Sequence, residues 1–139
     1  MTTLSPGDID ARVVSRLENE SVIWLTTVGA NGVPATTPVW FLFHDGAFVL
    51  QSQPQTGKLR HIEHDPSVAL NLNCTPEGGD VVVFTGSARH DPQGQSRDEW
   101  DAYVDKYRGG MSGLGFAPDT FADSYSETVR ITPTKLRSW

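Results

Sequence analysis

The chain has 139 residues, of which 37% are hydrophobic and 20% charged, a size and balance suited to one globular domain around a single core. A net charge of -6 and a pI near 5.0 argue against nucleic acid as a partner, because that binding depends on a basic face that neutralises phosphates. Any anionic ligand must be held by a local group of cations.

From Ser5 to Asn19 the apolar residues Ile9, Val13, Val14 and Leu17 recur at helical spacing, which predicts a leading helix with Ser5 as N-cap and Pro6 at its first position. The pattern then becomes β-rich, predicting strands at Val22 to Val28, Val33 to Phe43, Ala47 to Gln53, Val68 to Thr75, Val81 to Arg89 and Thr128 to Thr132. Asn31-Gly32 and Asp45-Gly46 supply turn chemistry between the first three strands, which reads as a meander. The long second strand holds Pro34 and Pro38, which cannot donate to a sheet ladder, so it is expected at an edge or a bulge.

Thr56 to His64 reads as a short helix with Leu59 and Ile62 facing inward, stopped by Asp65-Pro66. Later, Trp100, Tyr103, Val104 and Tyr107 fall at i, i+3, i+4 and i+7 of an amphipathic helix whose aromatics are expected to pack in the core. The stretch Gly109 to Phe116 lacks the setting of a nucleotide-binding loop and is predicted to be mobile. Strands with short helices between them point to one closed or nearly closed barrel spanning residues 1–139.

Several absences shape the functional reading. No run of about 18 apolar residues suggests a membrane span, and the first residues lack a secretory pattern, so a cytoplasmic protein is expected. Cys74, the single cysteine, excludes an internal disulfide and reads as a buried apolar filler. His61 and His64 are three apart but without further ligands, and no metal is expected.

The segment Thr56-Gly57-Lys58-Leu59-Arg60 carries the main chemical signal. It opens a helix, where free backbone N–H groups and the helix dipole favour an anion, and Lys58 and Arg60 add positive charge. On spacing alone, a second reading is equally open: Thr56 merely caps the helix while Lys58 and Arg60 are solvated. Trp40 likewise either stacks on a bound ring or fills the barrel.

Beyond these local signals, the run Val33 to Phe41, then Asp45-Gly46, Thr56-Gly57-Lys58, Asp65-Pro66-Ser67-Val68-Ala69-Leu70, Gly86-Ser87-Ala88 and the ending Leu136-Arg137-Ser138-Trp139 resembles the pyridoxamine 5'-phosphate oxidase-like split-barrel superfamily. The resemblance implies a mainly β fold, a six- to seven-stranded antiparallel split β-barrel of Greek-key type with peripheral helices. It also implies that Thr56 and Lys58 bind the cofactor phosphate. The vitamin B6 oxidases have an arginine where this chain has Gly57, and an Arg-Gln pair where it has Asp80 and Val81. Those departures argue against pyridoxamine oxidation.

Within the superfamily the chain looks most like the deazaflavin group, the coenzyme F420-dependent reductases. That resemblance implies an oxidoreductase moving a hydride to an unsaturated small molecule, with FMN as the alternative cofactor and a non-catalytic flavin or haem carrier as the alternative role. The cofactor ring is expected against Pro38, Val39 and Trp40 and against Gln51, Ser52 and Gln53, with the anionic tail passing Lys58, Leu59 and Arg60. No catalytic side chain is expected, because the hydride carrier performs the chemistry. A homodimer with cofactor sites at its interface is implied too. Trp139 either packs on its own barrel or lines the site of the second subunit, and with the Gly109 to Phe116 loop it is expected to build the wall opposite the ring.

Overall fold

The computed structural model describes residues 4–139. After a 3-10 turn at Pro6–Asp8 come α1 (Ala11–Asn19), β1 (Ile23–Val28), β2 (Pro34–Val39), β3 (Leu42–His44), β4 (Ala47–Ser52) and α2 (Gly57–His64). The rest comprises β5 (Ser67–Asn71), β6 (Val82–Asp91), α3 (Arg97–Gly113), α4 (Pro118–Ser124) and β7 (Glu127–Ser138).

The leading helix is shorter than its apolar spacing predicts. Asp10, not Ser5, caps α1, its carboxylate accepting from the Val13 N–H at 2.9 Å. Ser5 instead donates through both its backbone N–H and its hydroxyl to Asp8, which closes the 3-10 turn. Val13 and Leu17 then bury completely in the core.

All seven strands form one antiparallel sheet in the order β2-β1-β5-β6-β7-β4-β3. The predicted second strand is therefore two strands, and the expected three-strand meander does not form. Its first half, with both prolines, pairs with β1 at one edge of the sheet; its second half pairs with β4 at the other edge. Only Trp40 and Phe41 join the two edges. Two residues reach no more than about 10 Å, so the sheet must curl until its edges nearly meet. They approach without pairing, which gives a split barrel with helices around it.

The interior of the curl is filled by Phe41, Phe48, Leu50, Leu70, Phe84 and Ile131, with Val13 and Leu17 of α1 and Leu59 and Ile62 of α2 closing it. A second apolar cluster lies on the other face of β4, where Leu42 and Val49 meet Tyr103, Val104, Tyr107, Met111 and Phe121 of α3 and α4. Thus β4 is buried on both faces, and its sequence Ala-Phe-Val-Leu shows none of the alternation of a one-sided strand.

Three further expectations need correction. Gly109 to Gly113 are the last turn of α3, because Tyr103, Tyr107 and Met111 recur at i+4 and all three bury. The helix ends when the N–H groups of Gly115 and Phe116 bond back to the carbonyls of Ser112 and Met111 at 3.0 and 2.8 Å. The last strand runs twelve residues, not five: Pro133 is accommodated opposite Gly86 where the β6–β7 register shifts. A Cβ on Gly86 would lie 2.4 Å from the Thr132 carbonyl oxygen, so only glycine permits that approach. Cys74 is exposed in the loop after β5 and fills nothing.

Candidate active site

At the split between the sheet edges lies a cavity of about 310 Å³, in the range of small-molecule sites. Its floor is the end of β2 and the residue after it, Pro38, Val39 and Trp40; one side is Gln51, Ser52 and Gln53 at the end of β4; Thr56 and Lys58 close one end. The rest of the lining comes from the outer helical layer, with Tyr103 of α3, Leu114 after it, Phe121 of α4 and Tyr125, and Phe121 lies directly against Trp40. Two distant stretches expected to meet a ligand are thereby brought to one volume.

The end formed by α2 is chemically the most distinctive. Thr56 has the extended backbone of an N-cap, but its side chain does not cap the helix; its hydroxyl lies 3.0 Å from that of Ser52. Ser52 in turn donates to the Gln53 carbonyl at 2.8 Å, so the proton between the two hydroxyls comes from Thr56. The leading N–H groups of α2 are left without a side-chain acceptor. Beside them Lys58 is half-buried, and burial alone pushes its ammonium pKa down. Among the described residues no carboxylate lies within ion-pair distance of it.

Gln51 is a fixed part of the wall. Its Oε1 accepts from Thr128 Oγ1 at 2.7 Å and from Gln95 Nε2 at 2.9 Å, while its own amide donates to the Tyr125 carbonyl at 2.9 Å. These bonds tie β4, β7 and the segment after α4 together at the cavity.

Trp40 does not fill the barrel; it packs outside it, against the α3–α4 cluster. It borders the cavity, and it also stacks on Tyr107 at 4.5 Å with planes 4° apart and on Phe121 at 5.6 Å. Gly110 makes room for it: a Cβ there would sit 3.0 Å from the indole. A ring so engaged is positioned by the protein before any ligand arrives.

The remaining candidates lie elsewhere. Successive helical residues point about 100° apart, so Lys58 faces the cavity while Leu59 turns into the core. Leu59 and Arg60 border a separate hollow with Gln55, Glu63, His90 and Glu127, and Arg60 donates to the Gln55 carbonyl at 2.8 Å. Trp139 does not pack on its own barrel. It is 66% exposed, with only its backbone paired to Val81, and it takes no part in the cavity wall; the loop's contribution there is Leu114. Asp80, at the position where the B6 oxidases carry arginine, is engaged by Arg12 and Arg16 of α1.

Val22, Tyr103, Phe121 and Tyr125 are wall residues that the sequence pattern did not single out. Tyr103 was legible only as one member of a buried aromatic stripe, and α4 is too short to announce itself by periodicity. Among the described residues no three His, Cys, Asp or Glu side chains gather as for a metal, and no helix is long and apolar enough to cross a membrane.

The fold recurs among solved structures. The chain is similar to a conserved hypothetical protein from Mycobacterium tuberculosis, with a TM-score of 0.74 at 21% identity, covering 99% of this chain and 89% of that one. It is also similar to an F420 reductase, with a TM-score of 0.67 at 23% identity over 88% and 94% of the two chains. The haem storage protein HutZ of Vibrio cholerae shares the fold as well, with a TM-score of 0.62 at 15% identity over 90% and 91%. No curated protein matches in sequence. The family profile described as pyridoxamine 5'-phosphate oxidase matches residues 9–139, taking in every strand of the split barrel and the whole cavity wall, and the chain belongs to that family.

Proposed function

We propose that this protein is a cytoplasmic, homodimeric oxidoreductase that holds the deazaflavin coenzyme F420 in the β2–β4 cavity and uses it to reduce an unsaturated small molecule. One observation carries the reading. Among the described residues Lys58 is a half-buried cation with no carboxylate partner, beside the uncapped start of α2, in the lining of a cavity that also carries aromatic side chains. Burying an ammonium without a partner is costly. An anionic group is the natural complement, and helix N–H donors beside a lysine form a phosphate-binding arrangement.

A bound reduced deazaflavin supplies the hydride, and the chain's own residues bind, orient and exclude water. Lys58 and the first-turn N–H groups of α2 would hold the phosphate, and Thr56 would join them by turning its hydroxyl proton from Ser52 to the anion. Pro38 and Val39 offer an apolar surface for the ring, with Trp40 held behind them by Tyr107 and Phe121. Gly57 has only the end of the Arg60 side chain near its missing Cβ, at 3.7 Å, which would leave its backbone open to a phosphate. The homodimer is supported by the exposed Trp139 ring and by β2, an edge strand exposed along most of its length.

Titration of the purified chain with F420 and with FMN, following tryptophan fluorescence, tests the assignment. Micromolar F420 binding with little response to FMN is expected. Micromolar FMN binding with none to F420 transfers the site to an FMN-dependent reductase or oxidase, and tight binding without turnover to any electron acceptor makes it a carrier.

A further inference from the structure

The first turn of α2 lacks its usual fasteners. Thr56 stands at the cap position with its hydroxyl turned to Ser52, and the opening backbone bond, from the Arg60 N–H to the Thr56 carbonyl, is long at 3.4 Å. The residue leading into the turn is also held against its preference. Gln55 follows Pro54 with a φ of 63°, a left-handed conformation that a turn opening on proline ordinarily gives to glycine. Arg60 supplies what the turn lacks. Its side chain folds back toward the helix start, as helical side chains do. Its Nη1 donates to the Gln55 carbonyl at 2.8 Å, and its Nη2 lies 3.7 Å from where a Cβ on Gly57 would stand. Among the described residues Arg60 makes no ion pair, and it borders the hollow beside Gln55, not the cavity lined by Thr56 and Lys58.

The Gln55 carbonyl and the Thr56 N–H belong to one planar peptide and point in opposite directions. A bond that fixes the carbonyl on the Arg60 side therefore fixes the N–H on the other. Resting on the assignment of the Lys58 end to a phosphate, we infer that Arg60 is a positioning residue: its bond to the Gln55 carbonyl holds the left-handed turn so that the Thr56 N–H is presented to the anion, and its guanidinium does not touch that anion. The charge on Arg60 has a second effect through the same peptide. A cation bonded to the carbonyl polarises the group and makes its N–H a stronger donor. The two cations of α2 thus divide the work, Lys58 meeting the phosphate and Arg60 shaping the backbone that meets it.

The test is a cycle of Arg60→Met and Gln55→Gly in the full-length protein, titrated with F420 and with FMN at low and high salt. NMR chemical shifts at position 55, which report its backbone conformation, are recorded in the ligand-free proteins alongside. In Arg60→Met, position 55 is expected to leave the left-handed range. Affinity for the cofactor that the wild type binds should fall about fivefold to thirtyfold, the worth of holding a residue with a Cβ in that conformation. The salt dependence should stay close to that of the wild type, because no contact between ions is lost. Adding Gln55→Gly, a residue that adopts the conformation freely, should recover most of the affinity. A loss that persists in the double variant with a shallower salt dependence overturns the inference and makes Arg60 a direct ligand of the phosphate. Unchanged affinity in Arg60→Met, or a position 55 that stays left-handed there, overturns it as well. If the wild type binds neither cofactor, the phosphate reading fails, and the shifts at position 55 alone decide whether Arg60 holds the turn.

Discussion

The phenol of Tyr107 holds both polar groups of the Phe41 main chain, accepting from its N–H at 2.8 Å and lying 3.0 Å from its carbonyl oxygen. Phe41 belongs to the two-residue bridge between the sheet edges, where neither strand ladder serves its backbone. Lys106 Nζ supports the same point, donating to the Phe41 carbonyl at 3.0 Å and lying 3.6 Å from the centre of its ring. One helix thus fixes the bend that delivers Trp40 to the cavity. Replacing Tyr107 by phenylalanine leaves the buried Phe41 N–H unsatisfied, and a loss of about 1–3 kcal/mol is expected in chemical denaturation. An unchanged midpoint would show that the bridge is held by strand pairing and packing alone.

Removing the ammonium of Lys58 isolates the anion grip. The Lys58→Ala variant is expected to bind the phosphate-bearing cofactor more weakly by about 1.5–3 kcal/mol, the usual worth of a charge-assisted bond. Its folding stability is expected to hold or rise, because a buried cation without a partner is lost. Isothermal titration with denaturation of the same samples separates the two effects. A fall in stability with unchanged affinity would make Lys58 a structural residue.

How legible this site was in the sequence depended on whether local signals coincide with tertiary ones. Thr56 to His64 announced its helix and its inward Leu59 and Ile62, because the N-cap position, the period and the Asp65-Pro66 stop all fall within eleven residues. The prolines at 34 and 38 located the edge strand for the same local reason. The break at Trp40-Phe41 was hidden, since both residues suit a strand and only the curling of the sheet separates β2 from β3. Glycines at 109, 110 and 113 suggested a loop, yet burial of Met111 and the fit of Gly110 against Trp40 outweigh their helix cost of about 1 kcal/mol each. Tyr103 could not be told from Tyr107 by spacing; only the hydroxyl distinguishes them, bonded to Phe41 in Tyr107 and, among the described residues, unpaired in Tyr103.

Acid sensitivity should centre on Glu99. Its carboxylate receives both Arg130 η nitrogens, at 2.6 and 2.8 Å, and the Ser96 N–H at 2.8 Å. Arg130 first, helped by Ser96, lowers its pKa from 4.5 to about 2. A carboxylate with a depressed folded-state pKa contributes stability that is complete above the unfolded value and is lost as pH falls toward the folded one. Unfolding free energy is therefore expected to decline between about pH 4.5 and 2. Glu99→Gln should be less stable at neutral pH and show a flatter profile across that window. Parallel profiles for wild type and variant would rule out this pair as the source.

Two neighbouring glycines of α3 should respond oppositely to the same change. At Gly109 nothing lies within 4 Å of a new Cβ, so Gly109→Ala only restricts the unfolded chain and improves helix propensity, with an expected gain of about 0.5–1 kcal/mol. At Gly110 the new methyl meets two atoms of the Trp40 indole at 3.0 Å. That ring is stacked on Tyr107 and borders the cavity, so it cannot yield without disturbing both. Gly110→Ala should lose about 1–3 kcal/mol from overpacking, shift the tryptophan emission and weaken cofactor binding. Thermal melts of the two variants against wild type, with emission spectra, read the contrast directly. If Gly110→Ala is as stabilising as Gly109→Ala, the indole is free to move, and its place in the cavity wall is not fixed by α3.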